Sequence, residues 1–292
     1  DYDAWDIDFY YRDALKEIAA ATDTMPGSTG SVMKELMLSF TIGRSSIKQK
    51  VMLYPHSKRL DFETKVDWKE KHKMLRVHFP VNVRTEQATF DIQYGHVKRN
   101  THRNTSWDKA KFEVVGHKYA DLSDHDYGVA LMDDCKYSYM IQNNILDLNL
   151  LRSPNNPDPD ADQGQHQFTY SILPHNQNFI QSDVIAESSI LNQQPILFKD
   201  AVSQIEMPIR LEGDGVELSV LKKAENKNDL ILRIIETHGK HSNGVLYIRV
   251  TLAESDLLEW NQIGEKIHVD ESVQLNLKPF EIMTLRLNTI GK

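Results

Sequence analysis

Residues 60–68, Leu-Asp-Phe-Glu-Thr-Lys-Val-Asp-Trp, alternate apolar and polar side chains without a break. Because successive side chains of a β-strand point to opposite faces, this period of two predicts a strand with one buried face. The same alternation precedes this stretch from Lys34 onward and follows it in Leu75–Phe79 and Phe90–Tyr94. Alternating runs at such short spacing are typical of antiparallel sandwiches, so the sequence predicts an all-β fold.

Further strands, a turn, an irregular loop and two helical segments are expected in residues 1–199. The strands are Tyr127–Met132, a hairpin of Tyr137–Ile141 and Ile145–Leu151 turning at Asn143-Asn144, and Gln167–Leu173. Residues 24–30, Thr-Met-Pro-Gly-Ser-Thr-Gly, predict a turn, and the acidic, Pro-rich residues 155–164 predict an irregular loop. Residues 178–191 have helical spacing and are the only convincing helix, although a short helical piece through Tyr10, Leu15 and Ile18 is also expected.

Residues 200–292 repeat the β pattern with tighter turns, which Gly239, Gly244 and Gly264 are predicted to form. The predicted strands are Val216–Leu221, Leu230–Ile235, Val245–Leu252, Ile267–Val269, Val273–Leu277 and Phe280–Leu287. These runs predict a small sandwich of six or seven strands. We therefore expect a boundary near Lys199, with a large β-sandwich domain in residues 1–199 and a small one in residues 200–292.

Composition narrows the function classes. The 292 residues carry a net charge of −8, which disfavours nucleic-acid binding, and no run reaches the roughly 20 apolar residues of a membrane span. Cys135 is the single cysteine and is interpreted as a core or turn thiol, which excludes an internal disulfide and favours a reducing, cytoplasmic location. Because the chain opens without Met or a signal peptide, we expect a piece of a longer protein.

The polar stretch from Arg99 to Asp124 is the first candidate site. Trp107 could stack on the face of a sugar, while neighbouring polar side chains, Asn104 among them, could bond its hydroxyls. His102 belongs to the same loop. The alternative is a solvated hairpin loop in which Trp107 folds back onto the core, because tryptophan is usually largely buried.

Arg152 is the second candidate, because it follows the apolar strand Ile145–Leu151 and precedes a loop stiffened by proline. An arginine at a strand end can be held rigidly and donate a fork of hydrogen bonds. The alternative is an ion pair with Asp158 or Asp160.

The acidic residues and the search for metal-binding motifs give weaker indications of a functional site than Arg152 or the Trp107 loop. Paired carboxylates such as Asp3 with Asp6, or Asp108 with Asp124, would suit glycoside hydrolysis, but 42 acidic residues make such pairs common by chance. Residues 158, 160 and 162 resemble the start of a calcium loop, yet the glycine and glutamate that complete an EF-hand are missing. The sequence shows no zinc-binding motif.

Several segments together resemble the C-terminal β region of family 38 α-mannosidases, in the bacterial and cytosolic or vacuolar subgroup. They are Asp3-Ala-Trp-Asp-Ile, residues 101–123 from Thr-His-Arg-Asn-Thr-Ser-Trp to Ala-Asp-Leu-Ser, residues 127–137 Tyr-Gly-Val-Ala-Leu-Met-Asp-Asp-Cys-Lys-Tyr, residues 150–162 Leu-Leu-Arg-Ser-Pro-Asn-Asn-Pro-Asp-Pro-Asp-Ala-Asp, and the tail Leu277-Lys-Pro-Phe-Glu-Ile-Met-Thr-Leu. The order and spacing fit across essentially the whole chain.

The resemblance implies a retaining exo-hydrolase of terminal α-linked mannose that uses an aspartate nucleophile and a divalent metal, usually zinc. Both belong to an N-terminal catalytic part whose motifs have no match here. We therefore expect no catalytic residue and no metal ligand in this chain, which would be inactive alone.

For this chain the resemblance implies a scaffold that packs on the catalytic domain and lines the mannoside cleft. It also implies a large domain similar to the supersandwich of galactose mutarotases. Arg152 resembles the family's strand-end arginine that reaches the active site; the segment with Asp3, Trp5 and Asp6 and the loop with His102, Asn104 and Trp107 are the further substrate-binding candidates. A stand-alone carbohydrate-binding module and a purely structural interaction domain are the alternatives, and a homo-oligomer is left open.

Overall fold

The computed structural model describes residues 2–16, 18, 20–196, 199, 208–225 and 228–288. Residue contacts divide the chain into two compact units, residues 1–92 with 97–195 and residues 93–96 with 196–292. The predicted domain boundary near Lys199 stays a prediction, because residues 200–207 lie outside the described part of the chain.

Thirteen strands precede residue 177 in the described part of the chain. They are β1 (Asp23–Thr29), β2 (Lys34–Ile42), β3 (Ser45–Leu53), β4 (Leu60–Trp68), β5 (Leu75–Pro80), β6 (Gln87–Ile92), β7 (Gly95–Asn100), β8 (Val114–Val115), β9 (Tyr119–Ser123), β10 (Tyr127–Asp133), β11 (Ser138–Gln142), β12 (Ile145–Leu151) and β13 (Gly164–Asn176). They form a nine-stranded sheet in the order β1-β2-β3-β4-β13-β10-β9-β6-β7 and a four-stranded sheet in the order β5-β12-β11-β8.

The core of the first unit lies between these two sheets. Its largest fully buried side chains come from both of them, and include Trp68, Phe90, Phe168, Tyr139 and Leu146. In β4, Val66 and Trp68 are each 1% exposed, and Val66 pairs with Ile47 of β3 on one side and His166 of β13 on the other. The alternation of residues 60–68 therefore does set a buried face, and the predicted all-β sandwich is confirmed.

Helical segments are few and short in the described chain. Residues 178–191, predicted as a helix, form a 3₁₀ turn at Phe179–Gln181 and then a helix, α2 (Val184–Asn192). α2 buries Val184 and Leu191 against β9 and β10. The N-terminal helical piece is a 3₁₀ helix at Phe9–Ala14. A further helix that the pattern did not predict, α1 (Ser106–Ala110), lies in the polar stretch.

The predicted turn at residues 24–30 is wrong, because Asp23–Thr29 form β1 at the edge of the nine-stranded sheet. Pro26 pairs with Leu36 of β2. An edge strand bonds to a neighbour on one side alone, so proline's missing N–H is tolerated there. Apolar alternation could not reveal this strand, since nearly all of its residues are exposed.

The second unit holds eight strands in its described residues, one or two more than predicted. They are β14 (Arg210–Glu212), β15 (Val216–Lys223), β16 (Leu230–Glu236), β17 (Ser242–Tyr247), β18 (Val250–Ser255), β19 (Ile267–Val269), β20 (Ser272–Leu277) and β21 (Ile282–Asn288). They form a three-stranded sheet, β14-β17-β20, and a five-stranded sheet, β15-β16-β21-β18-β19, around a core that includes Leu232, Ile234, Leu246 and Leu285.

The single strand predicted at Val245–Leu252 is therefore two strands, which belong to different sheets. The chain crosses from one sheet to the other between Tyr247 and Val250, and the apolar run hides the crossing because both strands are half-buried. Gly244 was predicted at a turn but lies inside β17, where an added Cβ would come 3.2 Å from the carbonyl oxygen of Glu212.

Candidate active-site wall

Arg152 follows β12 directly, at the point where the four-stranded sheet gives way to the irregular loop of residues 153–163. Its Nη2 donates hydrogen bonds to the backbone carbonyls of Asp3 and Asp6. Partial burial lowers the pKa of Arg152, and the nearby carboxylates of Asp3 and Asp6 oppose that effect. An arginine is not deprotonated in proteins, so the site carries a fixed positive charge.

Asp3 lies against the same loop and uses its whole carboxylate there. Oδ2 accepts from the backbone N–H of Asn155 and Oδ1 from that of Asn156, each at 2.8 Å, and His72 Nδ1 lies 2.9 Å from Oδ2. The two backbone N–H groups, followed by His72, hold the pKa of Asp3 well below its usual range. Asp3 is therefore ionised and committed to protein partners.

The loop that carries Arg152 is fixed from several sides. Asp162 Oδ2 accepts from the backbone N–H of Arg152 at 3.0 Å and from that of Ser153 at 2.9 Å. Trp68 Nε1 donates to Ser153 Oγ, and the backbone N–H of Ala4 donates to the carbonyl of Asn156 at 3.2 Å. Buried sandwich, loop and N-terminal segment thus meet around one arginine.

The alternative of an ion pair between Arg152 and Asp158 or Asp160 is wrong for this arrangement. In the described part of the chain, the hydrogen-bond partners of the guanidinium are the two carbonyls, while Asp160 pairs with Lys71 at 2.7 Å. With Asp162 occupied by two backbone N–H groups, the three acidic side chains are not free to form a calcium loop.

A cleft of about 1990 Å³ opens beside Arg152 within the first unit. Its polar end is formed by Asp3, Asp6, His72, Arg152 and Ser153. Its apolar wall comes from the inner faces of β2–β5 and includes Phe40, Ile47, Phe62, Val77 and Phe79. The N-terminal 3₁₀ helix lies along the same cleft. This combination of apolar walls and a few convergent polar groups is typical of ligand sites.

Trp5 is 70% exposed and Tyr2 is 69% exposed, with their ring centroids 5.8 Å apart. Trp5 does not itself line the cleft, although its neighbours Asp3 and Asp6 do. The structure therefore brings Arg152, Asp3 and Asp6 together and leaves Trp5 beside them on the surface. Asp6 contributes its backbone carbonyl to Arg152.

The second predicted cluster lies on and just before α1: Trp107 is on the helix, and His102 and Asn104 precede it. Thr105 caps this helix: its hydroxyl accepts from the Asp108 N–H, and the Asp108 carboxylate accepts from the Thr105 N–H, which forms a capping box. The spacing Thr-x-x-Asp was the signal in the sequence that could have predicted it. His102 Nδ1 lies 3.6 Å from Asp108 Oδ2, and Asn104 is exposed.

Trp107 is 78% exposed, so the interpretation that it folds back onto the core is wrong. Neither Trp107 nor His102 nor Asn104 is among the described residues that line the cleft. The N-terminal segment still contacts this region, because the Arg103 guanidinium lies 5.3 Å from the centre of the Phe9 ring. The predicted site is thus split into a cleft and a separate exposed helix.

A buried ionic cluster beneath the N-terminal segment was missed by sequence reasoning. Arg76 Nε donates to Asp147 Oδ1 at 2.8 Å, and Arg76 Nη2 lies 2.9 Å from Glu113 Oε1. Tyr11 donates its hydroxyl proton to Glu113 at 2.6 Å, and His78 pairs with Asp147. The one signal in the sequence was Asp147, a carboxylate in a strand whose side chains are otherwise apolar except for Asn149.

The His, Cys, Asp and Glu side chains of the described residues do not form a metal-binding site. Among the described residues there is no group of three or more His, Cys, Asp or Glu side chains that could hold a metal ion.

Cys135 lies in the turn after β10, where partial burial and then Asp134 raise the pKa of its thiol to about 12. In the part of the chain that the structure describes, no helix has the length and apolar character needed to span a bilayer.

Fold and site together define a tandem β-sandwich region whose first unit holds a cleft ending in a fixed arginine. A family model for the glycosyl hydrolases family 38 C-terminal domain matches residues 1–160, and one for the family's C-terminal beta sandwich domain matches residues 215–285. The chain therefore belongs to glycosyl hydrolase family 38, as part of its C-terminal region.

Curated relatives agree with this assignment. Alpha-mannosidase 2C1 of Homo sapiens is 37% identical over 299 residues, which cover 98% of this chain and 29% of that protein. The alpha-mannosidase of Saccharomyces cerevisiae is 30% identical over 322 residues, 98% of this chain and 30% of that protein. The chain thus spans about three-tenths of the length of these relatives.

Solved structures support the fold. The crystal structure of an alpha-mannosidase from Enterococcus faecalis V583 superposes with a TM-score of 0.75 at 17% sequence identity, covering 91% of this chain and 35% of that chain. At that identity the likeness concerns the fold alone.

Proposed function

We propose that this chain is the C-terminal β region of a retaining, metal-dependent exo-α-mannosidase. In this proposal it packs on the catalytic region of the same polypeptide and forms one wall of the mannoside cleft. The observation that carries it is Arg152, a partly buried cation fixed by two carbonyls at the end of an open cleft. Membership of the family and relatives that are named α-mannosidases support the proposed activity.

Arg152 is proposed to bind hydroxyl groups of the sugar. Both carbonyl contacts use Nη2, so the donors on Nη1 and Nε remain for a ligand in the cleft. A planar guanidinium can bond two adjacent oxygens at once, which suits neighbouring hydroxyls on a ring. Asp6 lines the same end of the cleft and is the second candidate for a hydroxyl contact.

In this proposal the reacting groups lie outside this chain. A divalent metal, for which the family relationship favours zinc, and the carboxylates of a retaining glycosidase would belong to the catalytic region. The described residues do not offer a metal site, so no step of the reaction is assigned to them through a metal. Mannose-containing oligosaccharides in the cytoplasm are the proposed substrates.

The test compares the full-length protein with the 292-residue chain alone on an aryl α-mannoside with added zinc or cobalt. The proposal expects turnover by the full-length protein and none by the chain alone. Turnover by the isolated chain that is abolished when one of its own acidic residues is replaced would place the active site here and refute the proposal.

The exposure of Trp107 favours a second candidate function, a stand-alone carbohydrate-binding module. An aromatic ring that is 78% exposed on a capped helix is available for stacking on a sugar. Calorimetric titration of the isolated chain with mannose and mannobiose separates the two functions. Clear affinity that disappears in Trp107→Ala would favour the binding module. Titrations that release or absorb no heat of binding would argue against it.

A further inference from the structure

We infer that Asp3 and His72 are positioning residues, which fix the guanidinium of Arg152 at the cleft without contacting the sugar themselves. This inference rests on the proposed function. It changes the role predicted for Asp3, which the sequence marked as a substrate ligand, and it adds His72, which no motif marked.

The carboxylate of Asp3 is largely taken up by the protein, with three of its roughly four acceptor positions in use. Its two oxygens already accept from Asn155, Asn156 and His72 at 2.8–2.9 Å. These three bonds already fix the orientation of the carboxylate without a ligand. With the carboxylate held in this way, the carbonyl of the same residue is held too, and that carbonyl accepts from Arg152.

His72 ties together the two sides of Arg152. Its backbone N–H donates to the carbonyl of Ser153 at 2.9 Å, next to the arginine, while Nδ1 of its ring lies 2.9 Å from Asp3 Oδ2. The imidazole side chain is 71% exposed, so core packing does not explain its place. His72 also has φ of 53°, a left-handed conformation that costs free energy in most residues and often marks functional sites.

The resulting geometry divides the guanidinium into two parts. Nη2 bonds the carbonyls of Asp3 and Asp6, which leaves the donors of the other nitrogens for a ligand in the cleft that Asp3, His72 and Arg152 line together. If Asp3 moved, Arg152 would lose its fixed orientation and would have to be reordered at each binding event. The entropy of ordering a long side chain would then oppose binding of the sugar.

The test uses two isosteric variants of the full-length protein, His72→Asn and His72→Asp. Both residues tolerate the left-handed conformation, so backbone strain is matched. Asn keeps a donor where His Nδ1 stands, whereas Asp places a second carboxylate against Asp3. We expect kcat/KM for an aryl α-mannoside within about twofold of wild type for Asn and about fivefold or more lower for Asp.

The same pair is then compared in an Arg152→Ala background. If His72 acts through Arg152, the difference between Asn and Asp disappears there, as a double-mutant cycle requires. Lys71→Ala is the matched control: it removes the neighbouring Lys71–Asp160 ion pair, whose side chains are 49% and 75% exposed, and should leave kcat/KM unchanged. Equal rates for Asn and Asp, or a difference that persists without Arg152, would overturn the inference.

A second readout does not depend on turnover. Crystal structures of full-length wild type and His72→Asp should show the guanidinium ordered on the two carbonyls in the first and displaced from them in the second. A guanidinium that stays in place overturns the inference whatever the rates are. Absence of α-mannoside hydrolysis by the wild type refutes the proposed function instead, so the two failures are distinguishable.

Discussion

Arg152 is the side chain of the cleft on which the proposed function chiefly rests, because its hydrogen bonds join the N-terminal segment to the end of β12. In the full-length protein we expect Arg152→Ala to lower kcat/KM by roughly 10- to 100-fold, since hydrogen bonds from a charged donor contribute about 1.5–3 kcal/mol. Arg152→Lys should recover little, because a single ammonium cannot hold two carbonyls and still bond a sugar. Steady-state kinetics measures both.

Folding is the control for this prediction. The core of the first unit lies between the two sheets, so both variants should keep the wild-type circular dichroism spectrum. An unchanged kcat/KM in a folded Arg152→Ala protein would remove this residue from the site.

The buried carboxyl group of Asp133 should make the unfolding free energy depend on pH. It is 1% exposed, accepts from the Tyr139 hydroxyl, and burial raises its pKa from 3.8 to about 7. A raised pKa means that its contribution is complete below pH 3.8 and is lost as the pH rises through about 7. Relative to Asp133→Asn, the wild type should lose up to about 1.4 kcal/mol of unfolding free energy per pH unit in that window.

The measurement is urea unfolding of wild type and Asp133→Asn at a series of pH values. Asparagine keeps one acceptor oxygen and loses the other, because its amide nitrogen cannot accept the bond that Lys136 N–H or the Tyr139 hydroxyl donates. That loss does not change with pH in this window, so the pH dependence of the difference isolates the charge.

His175 also has a raised pKa: burial lowers it, but Asp121, which bonds its ring at 2.8 Å, and the backbone of Asn176 and Gln177 together outweigh burial. Because both proteins keep His175, its contribution cancels, and parallel pH profiles would contradict the prediction for Asp133.

Among the elements, the N-terminal 3₁₀ helix is anchored in part by one partly buried hydroxyl. Tyr11 donates to Glu113 at 2.6 Å, and Glu113 is held in turn by Arg76 and Ser138. Tyr11→Phe should therefore weaken the attachment of residues 2–16 by about 1 kcal/mol and raise their amide hydrogen exchange roughly fivefold. Tyr10→Phe is the matched control, since Tyr10 is 69% exposed. Equal exchange in the two variants would show that Tyr11 does not anchor the helix.

The strands that could be predicted from the sequence are those with one buried face. β4 could be predicted because it lies between two hydrogen-bonded neighbours with Val66 and Trp68 in the core, although Asp61 on its other face is buried as well. β1 could not be predicted, since it is an exposed edge strand, and the crossing near residue 248 was hidden inside one apolar run. α1 was missed because a capping box of two residues is a short signal within a polar stretch.

The candidate site was predictable only in part, for a related reason. Arg152 was marked by its place at a strand end, and Asp3 and Asp6 by the family resemblance. His72 lies 69 residues from Asp3 in sequence, and Tyr11 lies 102 residues from Glu113. No local pattern encodes such pairs, since only the closed sandwich brings these segments together.

For the whole molecule, the proposal assigns the metal to the catalytic region and the cleft wall to this β region. Removal of metal tests that division. Because the described residues offer no cluster of metal ligands, EDTA should leave the thermal midpoint of the 292-residue chain unchanged to within about 1 °C. The same treatment should abolish α-mannoside hydrolysis by the full-length protein, and zinc or cobalt should restore it. A midpoint of the isolated chain that falls by several degrees in EDTA and recovers with zinc would place a structural metal in this β region and contradict the division.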